Sequence, residues 1–135
     1  MSIVVDASAL LCLAFDDEAV PYGSALIDAI PRENAVSPSI LWYELRNALV
    51  TSERRGRIEP ELSAAFLVLT GQLPIALREP QSEAGILDLA RRFKLTVYDA
   101  AYLDLAILER AALATLDDGL KAAARELGVP HWQPE

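Results

Sequence analysis

Ile3-Val4-Val5-Asp6 near the start of the chain and Leu113-Ala114-Thr115-Leu116-Asp117 near its end decide how the sequence is read. Each is an apolar run without polar alternation that stops on an aspartate. Such runs suit strands covered on both faces, where only the ends meet water. Between them, short apolar runs alternate with longer helical stretches, which is the pattern of a parallel sheet with crossover helices.

Working outward, Ile3–Asp6 is the first expected strand. A helix from about Ser8 to Phe15 follows, with Ser8 as its N-cap, then a helix from about Tyr22 to Ile30 that stops before Pro31. Ala35-Val36-Ser37 reads as a strand closed by Pro38. A long helix from about Ser39 to Arg55 ends at Gly56, where a C-terminal glycine is expected. Pro60 sits just inside the next helix, which reaches about Gln72. Pro74–Leu77 is a third strand, Ser82–Phe93 a helix, Leu95-Thr96-Val97 a short apolar run and Asp99–Arg110 a helix. Leu113–Leu116 is a central strand, Gly119–Leu127 a helix, and Val129–Trp132 a last edge strand. Nothing divides the 135 residues, so residues 1–135 read as one α/β domain.

Strand ends of this kind share one rim of the sheet, and ligands of open α/β sheets bind there. Asp6 and Asp117 end the two runs. Glu44 lies three residues after Leu41 and four before Ala48, on the inward side of the apolar stripe Leu41, Leu45, Ala48, Leu49. Asn47 is one turn on, close to the same face. Asp99 is followed by Leu103 and Ile107 at helical spacing and so opens an apolar stripe. Asp104 lies about 140° around that helix from Asp99 and is expected at solvent or the rim. Asp118 reads as the N-cap of the last helix, with a fifth ligand as the alternative. Four carboxylates in one crevice repel each other unless a cation sits among them, and hard oxygen donors suit Mg²⁺ or Mn²⁺. Taken singly, each acid has an ordinary reading as a cap, an ion-pair partner or a turn residue. Together they point to a metal-dependent enzyme, with phosphodiester hydrolysis the leading candidate.

Composition agrees with a filled α/β interior: 53% of residues are hydrophobic and mean hydropathy is +0.23, which excludes a disordered chain. Met1–Phe15 lacks a basic start, carries Asp6 in its middle and is too short to span a membrane. The one cysteine, Cys12, permits no intramolecular disulfide and reads as a small buried hydrophobe, in keeping with a cytoplasmic protein. The net charge of −8 is unusual for a nucleic-acid binder. Setting aside the four acids leaves 16 acidic against 12 basic residues, and two divalent cations would cancel half the charge. The remaining acidity favours a basic partner protein. Arg46, Arg54, Arg55 and Arg57 are the candidates for guiding phosphates, although Arg54-Arg55-Gly56-Arg57 equally suits a solvated helix end. His131, the only histidine, reads as a residue that packs or hydrogen-bonds near the terminus.

Val4-Val5-Asp6-Ala7-Ser8-Ala9-Leu10, Trp42-Tyr43-Glu44-Leu45-Arg46-Asn47-Ala48-Leu49, Tyr98-Asp99-Ala100-Ala101-Tyr102-Leu103-Asp104-Leu105-Ala106 and Ala114-Thr115-Leu116-Asp117 occur in that order. The set resembles the four acidic motifs of the PIN-domain nucleases, and among them the toxins of VapBC-type toxin–antitoxin modules. The resemblance covers nearly the whole chain and no acid departs from it. It implies a three-layer α/β/α fold with a parallel sheet of about five strands in the order 3-2-1-4-5. It further implies Mg²⁺- or Mn²⁺-dependent endoribonuclease activity on structured RNA such as tRNA or rRNA, a homodimer, and a cognate VapB-like antitoxin. Asp6, Glu44, Asp99 and Asp117 match the family's catalytic, metal-binding acids. Ser8, Asn47 and Thr115 fall where supporting polar groups occur. Two other readings remain: a phospho-acceptor receiver-like domain, for which no lysine follows a strand end (Lys121 lies within an expected helix), and a PIN-like binding protein without turnover.

Overall fold

The computed structural model describes residues 1–15 and 18–135. Its strands β1 (Ser2–Val5), β2 (Asn34–Pro38), β3 (Ile75–Arg78) and β4 (Ala112–Ala114) form one sheet in the order β3-β2-β1-β4. All pairs are parallel, with Val4 opposite Val36 on one side and Leu113 on the other. This order is not the 2-1-3-4-5 of receiver-like folds, and it matches the expected α/β architecture.

The alternation of side chains along each strand sorts the core into two layers. Ile3, Val5, Ala35, Ala112 and Ala114 face one way, against α1 (Ala7–Leu11), α2 (Val20–Ala29), α3 (Ile40–Arg54) and α4 (Pro60–Gly71). Val4, Val36 and Leu113 face the other way, against α5 (Glu83–Phe93), α6 (Val97–Glu109) and α7 (Asp118–Glu126). A sheet covered on both faces needs apolar residues at successive positions, which is why β1 and β4 lack polar alternation. Among the described residues no helix is long and apolar enough to cross a membrane.

Several boundaries differ from the sequence reading. The fifth strand at Val129–Trp132 is reduced to one parallel bridge between Leu113 and His131. The Leu113 amide donates to the Pro130 carbonyl at 2.8 Å and the Trp132 amide to the Leu113 carbonyl at 2.9 Å. Pro130, with no amide hydrogen, keeps the ladder from extending. β4 ends at Ala114, because the Leu116 amide turns to donate to Ser8 Oγ at 2.9 Å. The first helix is five residues long and is capped by Asp6, not Ser8. α6 starts before Asp99, at Val97, with Thr96 as its cap. α7 is capped by Asp117, which accepts from the Leu120 amide at 2.8 Å, and Asp118 is the first helical residue. Gly56, just past α3, takes the left-handed conformation expected of it, with φ +70°.

Candidate metal centre

Asp6 follows β1 directly, at the carboxyl end of a strand hydrogen-bonded on both sides. Its backbone amide donates to the Ala114 carbonyl at 3.1 Å, so the residue is pinned beside the end of β4. Its side chain is 4% exposed. Ser8 Oγ donates to Asp6 Oδ1 at 2.6 Å, the Ala9 amide donates to the same oxygen at 3.1 Å, and Thr115 Oγ1 donates to Oδ2. Ser8 and Thr115 are thus the two hydroxyls that orient this carboxylate. Both hydroxyls also accept a bond. Ser8 Oγ accepts from the Leu116 amide, and Thr115 Oγ1 accepts from the Asp117 amide at 3.0 Å. They therefore tie the Asp6 carboxylate to the segment that carries Asp117.

Glu44 sits half-buried on α3, whose buried face is Leu41, Leu45 and Leu49. Tyr102 Oη donates to Glu44 Oε1 at 2.6 Å. Tyr102 is 1% exposed, and a buried phenol needs a partner for its hydroxyl. The spacing Asp99 to Tyr102 places the two on neighbouring positions of α6, so this contact also links Glu44 to the helix that carries Asp99. Asp99 itself lies in the first turn of α6, behind the Thr96 cap. Its expected stripe is only partly buried: Leu103 is inaccessible but Ile107 is 41% exposed, and the covered face of α6 runs through Ala100, Leu103 and Ala106 instead.

Electrostatics tie the acids together. Burial pushes the Asp6 carboxyl up to about 6, the Asp99 charge adds to the rise, and the bonds from Ser8, Thr115 and Ala9 oppose it. Burial likewise raises Glu44, with the Tyr102 bond opposing and Asp99 adding. Burial raises Asp99, and the Asp117 charge adds. Asp99 is therefore the acid whose charge reaches Asp6 and Glu44 and which itself feels that of Asp117. Neither ion pair found among the described residues, Met1 N with Glu33 and Arg78 with Glu109, supplies a cation to this set.

The acids do not close on a common point. Among the described residues no three carboxylate, imidazole or thiol groups are drawn together as a ready-made ligand cluster. Mutual repulsion accounts for an open arrangement of like charges. The donor set, carboxylate oxygens with hydroxyls behind them and no paired cation, fits a hard divalent ion such as Mg²⁺ or Mn²⁺. Asp6, Glu44, Asp99 and Asp117 are the residues that would hold it.

Other candidates lie elsewhere. Asn47 is exposed, and its side chain makes no hydrogen bond with another described residue. Arg46 folds back on its own helix, 3.7 Å over the Trp42 ring and donating to the Trp42 carbonyl at 3.0 Å. Arg54 and its neighbours Arg55 and Arg57 are exposed at the far end of α3, about 15 Å along the axis from Glu44. Asp104, expected at solvent or the rim, is buried at 8% exposure, because α5 packs on that side of α6. His131 hydrogen-bonds near the terminus, as expected. Its Nε2 donates to the Thr115 carbonyl at 2.9 Å, with Gln133 donating to Nδ1 at 2.8 Å, so the terminal segment braces the strand end behind Asp6. Sequence reasoning missed Tyr102 and this brace. The signal for Tyr102 was present, since it stands one turn after Asp99 on the same helix.

The PIN domain family model matches residues 3–126 of the chain. Among solved structures, the crystal structure of PAE2754 from Pyrobaculum aerophilum superposes with a TM-score of 0.69 at 28% sequence identity, covering 91% of this chain and 79% of that one. No curated protein matches the chain significantly.

Proposed function

The chain belongs to the PIN-domain family, whose members are generally metal-using nucleases, and on that premise we propose that it is a Mg²⁺- or Mn²⁺-dependent endoribonuclease, the VapC-type toxin of a toxin–antitoxin pair. The observation that carries this reading is the Asp6 carboxylate, buried at the strand end, fixed by two hydroxyls and within reach of the Asp99 charge. Its substrate is structured RNA, tRNA or rRNA. It works in the cytoplasm as a homodimer and is held inactive by a cognate VapB-like antitoxin.

When bound, a divalent cation lowers the pKa of water and stabilises charge on the phosphoryl oxygens. The chain's own residues do the positioning. Ser8 and Thr115 hold both Asp6 oxygens in place, so that this ligand loses little freedom on binding. Asp99, whose charge acts on Asp6 and Glu44 and which feels that of Asp117, would hold the ion together with them. Tyr102 occupies Glu44 Oε1, which leaves Oε2 to orient the attacking water. Asp117 joins the set from the start of α7. Arg54, Arg55 and Arg57 make at most an outlying phosphate track, given their distance along α3, and Arg46 is turned onto Trp42.

The test is to incubate purified protein with total RNA in Mn²⁺ or in EDTA and to map the ends produced. Discrete ends in Mn²⁺, absent in EDTA and absent with Asp6→Asn, are expected. Full cleavage by the Asp6→Asn protein would sink the assignment.

A further inference from the structure

A second carboxylate, on the other flank of α6, has no partner. Asp104 is 8% exposed, and its side chain makes no hydrogen bond or ion pair with another described residue. It lines a groove of about 280 Å³ whose walls include Ile40, Ile86 and Leu105, with Tyr43, Tyr98 and Leu108 exposed at its mouth. The carboxylate lies against the start of α5: a Cβ at Gly85 would stand 2.8 Å from Ser82 Oγ and 2.9 Å from Asp104 Oδ1. Burial holds its carboxyl above the usual range. Its oxygens are not fully closed off from water, and a carboxylate set among apolar walls with no cation beside it attracts one supplied from outside. Within the groove the one cation is Arg78, already 3.8 Å from Glu109, while Glu79 adds a further negative charge. The whole chain carries −8.

We propose that this groove docks a partner polypeptide that inserts an arginine, flanked by apolar side chains, onto Asp104. The chemistry selects arginine in particular. A guanidinium meets a carboxylate with two parallel hydrogen bonds. It is weakly hydrated, so apolar walls suit it better than they suit an ammonium, and it stacks on tyrosine faces such as those at the mouth. Exposed apolar residues around a buried ion pair are the arrangement of an interface anchor. A nucleic-acid strand fits less well, because its phosphates would meet Asp104 and Glu79. Asp104 lies about 7.5 Å along α6 and roughly 140° around it from Asp99. The proposal stands independently of nuclease activity.

The test is titration of the ¹⁵N-labelled full chain in EDTA with a capped peptide of one arginine between leucines, the same peptide with citrulline, and 5′-GMP. The arginine peptide is expected to shift the amides of Gly85, Tyr98 and Ala101–Leu108, and citrulline to weaken binding about tenfold or more, the value of a charged bidentate pair. Asp104→Asn, which keeps the shape, should abolish the difference between the two peptides. Tyr98→Ala, at the exposed mouth, should weaken both. No shift at millimolar arginine peptide, equal binding of citrulline, or selective shifts with 5′-GMP overturns the proposal. So does a chain that sediments as a dimer and becomes monomeric on Leu108→Asp, since a second copy would then cover the groove.

Discussion

Asp6 holds two opposed demands in one side chain. Three donors favour its charged form, yet burial wins and raises its pKa from 3.8 to about 6. The folded metal-free protein therefore keeps a proton that the unfolded chain gives up between those values. Its contribution to stability is full below 3.8 and lost as pH rises through about 6. The shift of about 2 units corresponds to an upper limit of about 3 kcal/mol. Asp6→Asn removes the titration while retaining size. In EDTA, the stability of Asp6→Asn relative to wild type should rise between about pH 4 and pH 7, by about 1–3 kcal/mol, because wild type loses the contribution of its protonated Asp6 over that range while the amide does not titrate. Urea unfolding of both proteins at the two pH values checks this, and a pH-independent difference would refute it. The same reasoning explains Tyr102, whose buried phenol is held neutral and donating by burial and by Glu44.

At the scale of elements, the site is assembled from helix starts. Asp6 caps α1, Asp117 caps α7, and Asp99 occupies the first turn of α6 behind Thr96. A helix N-terminus favours negative charge, so these positions ease the crowding of acids even before a cation is present. Capping and chemistry can be separated at Asp117. Asp117→Ala should cost about 1 kcal/mol of stability, whereas Asp117→Asn, an equally good cap, should stay within about 0.5 kcal/mol of wild type. Both should lose RNA cleavage if the charge at 117 belongs to the centre. Thermal unfolding beside the cleavage assay decides, and an active Asp117→Asn protein would reduce this residue to a cap.

At the scale of the whole molecule, strand and helix ends from distant parts of the chain meet at one rim, and their charges are offset only from outside. A divalent ion that binds the folded state alone should stabilise it by mass action, about 3 kcal/mol at a hundredfold excess over its dissociation constant. Mn²⁺ should therefore raise the midpoint of wild-type thermal unfolding and leave that of Asp6→Asn nearly unchanged. Equal shifts in the two proteins would place the ion elsewhere. The strand order came from the resemblance to the PIN-domain nucleases, and Asp117 lies three residues past β4 as the cap of α7; the two-sided apolar runs and the place of Asp6 at a strand end were legible in the sequence itself. They rest on local period and on which residues tolerate burial, and both are written in consecutive side chains. The exact caps were less legible, because Asp6 and Ser8, or Asp117 and Asp118, are equally good capping types and only the chain's path chooses between them. Three features were decided by tertiary structure alone: Tyr102 reaching Glu44 across 58 residues, Thr115 reaching Asp6 across 109, and Asp104 turning into a groove beside Gly85. Such contacts depend on how separate elements pack, and no local pattern specifies the direction of a side chain relative to an element far away in sequence.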